Sequence, residues 1–291
     1  MDDKKQEEST GGCKEFIWNP RTRQFMGRTG TSWALILLFY LVFYGFLAGL
    51  FSLTMWVLLQ TTNEFRPKYL DRVPSPGLMI RPQADTLDIK FKPTQNSTFQ
   101  HYVTALNDFL LPYNERNQTA RNLNCTPGRY HFQNDTDEVR NYPKTSCRFL
   151  RASLGECSGL VDTSYGYSSG TPCVILKMNR IISYYPNENA EPLRVNCTGK
   201  RHKINKDEWR DDTAKVGPLR YFPVNGTFDP MYFPYYGKKA HVNYTQPVVA
   251  VRFMNATRGE ELSVECSIAG VKHDSDRDRF LGRVTFRVFI Q

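Results

Sequence analysis

The chain has 291 residues, 23% of them charged, 40% hydrophobic and 13% aromatic, with a formal net charge of +9. This is more chain than one small domain needs and too apolar for a disordered one. The charge is no mark of nucleic-acid binding: six Lys/Arg against five Asp/Glu precede residue 33, leaving +8 for a later part rich in glycosylation sequons.

The N-terminal 1–32 reads as a short polar tail. No Asp, Glu, Lys or Arg occurs between Arg28 and Glu64. Within that gap, residues 33–60, WALILLFYLVFYGFLAGLFSLTMWVLLQ, are almost wholly apolar. At ~1.5 Å per residue they form a helix of ~42 Å, longer than the ~30 Å hydrocarbon core of a bilayer. Trp33 and Trp56 stand near its ends, as interfacial anchors do. A buried core helix is seldom this long without a charge, and a cleaved signal has a shorter apolar run that starts earlier. The segment is expected to span a membrane once and to stay.

Arg21, Arg23 and Arg28 before the span balance Arg66, Lys68 and Arg72 after it, so basic residues do not orient it. Sequons and cysteines do. Eight N-x-S/T sequons, at Asn96, Asn117, Asn124, Asn134, Asn196, Asn225, Asn243 and Asn255, all follow the span. So do six of the seven cysteines, Cys125, Cys147, Cys157, Cys173, Cys197 and Cys266. Both features suit an oxidising, glycosylating compartment. The expectation is a type II protein with its C-terminal part outside and Cys13 reduced in the cytosol.

Residues 61–82 hold four prolines without apolar periodicity and read as an extended stalk. The outer domain proper is expected over 83–291. In LDIKFKP (Leu87–Pro93), Leu87, Ile89 and Phe91 alternate with Asp88, Lys90 and Lys92, as in a half-buried strand. One helix is expected next. Ser97 and Gln100 form a capping-box pattern; Phe99, Tyr102, Val103, Leu106, Phe109 and Leu110 keep helical spacing; Pro112 ends it.

Strand patterns dominate from there. Cys173–Ile182 and Pro247–Phe253 read as buried strands. Leu262, Val264, Cys266 and Ile268 share one strand face, and Val284, Phe286, Val288 and Ile290 share another. Short alternating strands joined by turn-rich links indicate an antiparallel sandwich. Lys200–Lys215, with 10 charged residues in 16, is expected to be a solvated loop. The six outer cysteines admit fifteen pairings, among which the pattern alone does not choose.

Catalysis finds little support. Asp-x-Asp, a metal motif of many type II glycosyltransferases, occurs at Asp135–Asp137, Asp274–Asp276 and Asp276–Asp278. The first overlaps the Asn134 sequon and the others lie in the charged link VKHDSDRDRF. His101, His131, His202, His241 and His273 show no metal-ligand spacing. Neither a nucleophile elbow nor a phosphate loop is present, so neither enzyme activity nor a cofactor is expected.

Two patterns suggest contacts with other molecules. In the span, Tyr40 and Tyr44 share a helix face, and Gly45 and Gly49 form G-x-x-x-G on a neighbouring one. Tyrosine hydroxyls at membrane depth need acceptors, which a partner helix supplies. The run MYFPYYGKK (Met231–Lys239) brackets Pro234 with four rings. It reads either as core, with proline confining it to an edge or bulge, or as a docking surface, since tyrosine joins apolar area to a polar handle.

The chain resembles the beta subunit of the Na⁺/K⁺-ATPase and H⁺/K⁺-ATPase family. FIWNPRTRQFMGRTGTSW, the tyrosine-rich span, CSGL, PCVILKMNRII, YFPYYGKK and YTQPVVAV carry the resemblance in order over nearly the whole chain. FMGRTGTSWA, PGLMIRP and MYFPYYGKKAHVNYTQP are most similar to the adhesion type of the sodium-pump branch, with the gastric proton-pump branch second. The resemblance implies an immunoglobulin-like sandwich at the plasma membrane and the pairs Cys125–Cys147, Cys157–Cys173 and Cys197–Cys266. It implies a non-catalytic partner of a P-type pump's alpha subunit, needed for its folding and delivery and tuning its K⁺ affinity. Tyr40 and Tyr44 would meet alpha helices, and Tyr232, Phe233, Tyr235, Tyr236, Gly237 and Lys238 an extracellular alpha loop. A small single-span subunit, lipid and N-glycans are further partners. Adhesion between cells is a competing function. Relatives often carry a sequon at the position of Glu156, which this chain lacks.

Overall fold

The computed structural model describes residues 17–19, 23–65, 67–69, 75–83, 86–135, 142–185, 192–203, 209–269 and 281–291. Two units, 1–63 and 64–291, each pack on themselves.

In the first unit, Trp18–Asn19, Gln24–Phe25 and Arg28–Thr29 pair as a small antiparallel ribbon. Helix α1, Gly30–Gln60, follows directly. It begins three residues before the apolar run because Thr29 caps it, its side chain accepting from the Ser32 N–H. Trp33 Nε1 donates to the Phe25 carbonyl at 2.8 Å, tying the first turn to the ribbon. At the far end the hydroxyls of Thr61 and Thr62 donate to the carbonyls of Leu58 and Leu59, satisfying acceptors the helix leaves open. No side chain of α1 is buried, and its surface is apolar all round, as a membrane span requires.

The described residues of the second unit include a sandwich of nine strands. They are β1 (Leu78–Arg81), β2 (Asp88–Phe91), β3 (Cys173–Met178), β4 (Leu193–Gly199), β5 (Leu219–Phe222), β6 (Thr227–Phe228), β7 (Val248–Phe253), β8 (Glu261–Ala269) and β9 (Arg283–Ile290). One sheet runs β5-β7-β3-β1, the other β6-β4-β8-β9-β2. All pairings are antiparallel except β9 with β2, where Val288 stands beside Ile89.

Alternation assigns the faces. Val174, Leu176 and Met178 of β3 and Val249, Val251 and Phe253 of β7 face the second sheet, where Phe253 meets Phe286 edge-on at 6.4 Å. Leu262, Val264, Cys266 and Ile268 of β8 and Val284, Phe286, Val288 and Ile290 of β9 fill that same interior, all buried. The two outer faces differ. The second sheet turns Asp88, Lys90, Glu265 and Arg287 outward, with Arg287 gripping Asp88 through two nitrogens at 2.7 and 2.8 Å. The first sheet is covered instead. Helix α2 (Gln100–Leu110) lays Phe109 under Arg81 and Lys177, and the 3-10 segment Arg151–Ser158 is joined to β3 through Cys157–Cys173. Covering on both sides explains why β3 and β7 read as unbroken apolar runs.

Several expectations need correction. The stalk 61–82 ends early, because Leu78 and Ile80 belong to β1 and are buried. Leu87 does not share the inward face of Ile89 and Phe91; it is 40% exposed, with φ +58° just before β2. Ser97 does not cap α2. A 3-10 turn, Asn96–Thr98, intervenes, and Phe99 takes the cap position with its ring buried near Phe91 and Tyr167. Pro112 ends α2, yet a second helix, α3 (Glu115–Arg121), follows one 3-10 turn later, so the insertion holds more than one helix. Met178 ends the strand expected to reach Ile182. Lys200–Lys215 is not simply a solvated loop: Arg201–Lys203 pairs with Trp209–Asp211, a one-turn helix α4 (Thr213–Val216) follows, and Asp212 is fully buried. The two later Asp-x-Asp triplets, Thr136–Asp137 of the first, His273 and Cys13 lie outside the described residues.

Candidate docking surfaces

On α1 the aromatic side chains form a ladder. Tyr40 stacks on Tyr44 with centroids 5.7 Å apart and planes 20° apart, and Phe39 on Phe43 at 5.9 Å and 9°. These are helical neighbours four apart, so the ladder follows from sequence spacing alone. Tyr40 and Tyr44 are 46% and 60% exposed, and among the described residues nothing lies within 4 Å of where a Cβ on Gly45 or Gly49 would stand.

The Met231–Lys239 run follows the core reading for most of its rings, but without the strand that reading assumed. It is not a strand. Pro230–Tyr232 is a 3-10 turn started by Asp229, whose side chain accepts from the Met231 N–H, and a cis Phe233–Pro234 peptide follows. A single parallel bridge pairs Tyr235 with Ile182. Tyr232, Phe233 and Tyr235 are buried and Tyr236 is half-buried. Each tyrosine hydroxyl or ring meets internal partners. Tyr232 donates to the Arg148 carbonyl at 3.1 Å, Tyr236 Oη accepts from the Gln133 N–H at 2.7 Å, and Tyr235 stacks on His241. Gly237 is buried with φ +92°, which favours glycine. Tyr232, Phe233 and Tyr235 are therefore core in this chain, and Lys238, Lys239 and part of Tyr236 are what the run turns to solvent.

Beneath the run lies a polar centre that the sequence did not reveal. His241 Nε2 lies 2.8 Å from both the Thr145 carbonyl and Ser146 Oγ, while Nδ1 accepts from the Tyr236 N–H at 3.4 Å. Burial pushes the His241 pKa down to about 4, helped by His131 and Lys144 and opposed by the bond to Thr145. The Lys144 ammonium, 1% exposed, pairs with Asp135, donates to the Gln133 carbonyl and sits 5.1 Å from the Tyr236 ring. Arg180 lies over the Tyr235 ring at 5.5 Å and is exposed at the surface. A stretch of rings draws attention in a sequence; the histidine that seats it lies just past its end, but the lysine comes from about ninety residues away.

The three disulfides join Cys125–Cys147, Cys157–Cys173 and Cys197–Cys266. All eight sequon asparagines are exposed, Asn196 on the polar outer face of the second sheet. Among the described residues one His/Cys cluster, Cys125, His131 and Cys147, has metal-site spacing, but its two sulfurs are spent in a disulfide. Glu156 bridges Arg220 at 2.6 Å and Arg252.

One exposed apolar helix ahead of a disulfide-bonded sandwich fits a single-span membrane protein. The family model "Sodium / potassium ATPase beta chain" matches residues 3–286. Sodium/potassium-transporting ATPase subunit beta-2 of Mus musculus and of Homo sapiens are each 54% identical over 280 residues, covering 95% of this chain and 93% of the relative. The Rhinella marina subunit beta-2 is 51% identical over 285 residues, with the same coverage. The chain belongs to the sodium/potassium ATPase beta chain family.

Proposed function

We propose that the chain is the non-catalytic beta subunit of a sodium/potassium pump, assembling with the catalytic alpha subunit and needed for its folding, delivery to the plasma membrane and K⁺ affinity. The near full-length likeness to sodium-pump beta-2 subunits carries this reading and favours the sodium over the proton pump. The sandwich lies outside the cell, as its sequons and disulfides suit. Tyr40 and Tyr44 meet the alpha helices in the membrane, and the segment Tyr232–Lys238 meets an extracellular alpha loop. Because Tyr232, Phe233 and Tyr235 are buried here, they shape that second surface, while Tyr236, Lys238 and neighbouring Arg180 face the loop.

The test is co-purification of alpha with the full chain and with a Tyr40→Leu/Tyr44→Leu variant. Weaker recovery of alpha with the variant, at unchanged folding of the sandwich, supports the reading. Equal recovery removes the ladder from the interface.

A further inference from the structure

Two sequons, Asn117-Gln118-Thr119 on α3 and Asn243-Tyr244-Thr245 in the approach to β7, face one another across a groove of about 350 Å³. Its rim carries two exposed apolar residues, Leu111 at 53% and Val242 at 68%. The floor is held firmly. Gln118, buried, donates through Nε2 to the Pro112 carbonyl at 2.7 Å and to Thr245 Oγ1 at 2.9 Å, and accepts through Oε1 from the Phe149 N–H at 3.0 Å. The side-chain amide of Asn122, also buried, lies 2.7 Å from Thr245 Oγ1. Asn117 itself is exposed, but its Nδ2 donates to the Leu111 carbonyl at 3.0 Å. The atom to which a sugar is joined is thereby fixed above the groove, beside the apolar rim.

We propose that this groove seats the first N-acetylglucosamine of a glycan on Asn117. The sugar's C–H face covers Leu111 and Val242, and its hydroxyl and acetamide groups face Arg121, which also lines the groove. The volume suits one sugar unit, since small-molecule sites begin at ~300 Å³. Apolar side chains left open at a preformed concavity are the surface such a group would cover. The proposal rests on the outward orientation of the sandwich given above.

The test uses the full chain co-expressed with alpha in cells making high-mannose glycans. Glycopeptide mass spectrometry gives occupancy, and hydrogen exchange is followed over 111–122 and 240–246. Trimming every glycan to its first sugar with an endoglycosidase should leave exchange there unchanged. Thr119→Ala, which abolishes the sequon but keeps the Asn117 amide, should speed it several-fold. Thr119→Ser, which retains the sequon, should match the parent, and Asn255→Gln should leave these segments unaffected. Exchange in Thr119→Ala equal to the parent overturns the proposal, as does a bare Asn117 beside other glycosylated sequons. Absence of sugar from every sequon would instead overturn the orientation underlying the proposed function.

Discussion

Cys197 and Cys266 stand directly opposite each other on β4 and β8, with Cα atoms 4.0 Å apart, so their disulfide staples neighbouring strands within one sheet. It does not cross between the sheets. Both residues are buried on the inner face, and the Cys197 N–H donates to Tyr221 Oη at 3.0 Å instead of to the partner strand. With a sequence separation of 69 against 16 for Cys157–Cys173, the bond constrains the unfolded chain more strongly. The chain-entropy relation puts the two at roughly 4 and 3 kcal/mol. Thermal unfolding should therefore fall further for Cys197→Ala/Cys266→Ala than for Cys157→Ala/Cys173→Ala. The reverse order would show that native packing, not loop closure, sets the difference.

Burial divides the aromatic run into two kinds of position. Tyr235→Ala removes a buried ring packed on His241 and Tyr244 and should cost about 3–5 kcal/mol of domain stability, read by urea unfolding. Lys238→Glu alters an exposed head group and should leave unfolding unchanged while weakening recovery of alpha. If Lys238→Glu has no effect on recovery and Tyr235→Ala lowers recovery only as far as it lowers folding, the run is core and nothing more.

Much of this division was beyond reach of the sequence. Strict alternation in β8 and β9 identified eight inward residues because one face of their sheet meets water. The span was legible for the opposite reason, since a helix in lipid needs no polar face. Leu87 misled because one residue with positive φ before β2 shifts the side-chain phase. α3 was missed because ERNQTAR buries Gln118 and no large apolar side chain, leaving no periodicity to find. Asp212 hid within a charged run, although it is wholly enclosed. The candidate surface was legible as a run of rings, but not which rings face inward, because Lys144 and Arg180 bear on that from other parts of the chain.

His241 makes stability depend on pH. Its folded pKa of about 4 lies below the ordinary 6.5, so between these values the unfolded chain binds more protons. The folded state should lose stability as pH falls from about 6.5 towards 4, by at most ~1.4 kcal/mol per pH unit from this group. Above pH 7 the contribution is complete. Urea midpoints at pH 7.5 and 5.0 should separate in the parent, and the gap should narrow in His241→Gln. An unchanged gap would assign the pH dependence to other groups.

Asp212 and Gly199 lock α4 to the second sheet. Asp212 accepts from Arg210 Nε at 2.7 Å and from the Ser263 N–H at 2.9 Å, and Arg210 also reaches Glu260. A Cβ on Gly199 would lie 2.2 Å from the Asp212 carbonyl carbon and oxygen. Both Gly199→Ala and Asp212→Ala should destabilise the domain, the second by ~1–3 kcal/mol because the Ser263 N–H loses its acceptor while Arg210 keeps Glu260. Secretion of the isolated sandwich gives a direct reading, and normal yields for both would contradict this packing.

Recovery of the tagged full-length chain from native membrane in mild detergent, with mass spectrometry of what accompanies it, tests the subunit assignment most directly. The account predicts a P-type sodium-pump alpha chain at near-equal stoichiometry. A proton-pump alpha chain would keep the class and change the branch. A chain recovered alone from the cell surface, with mature glycans, would contradict obligate assembly and leave adhesion as its function.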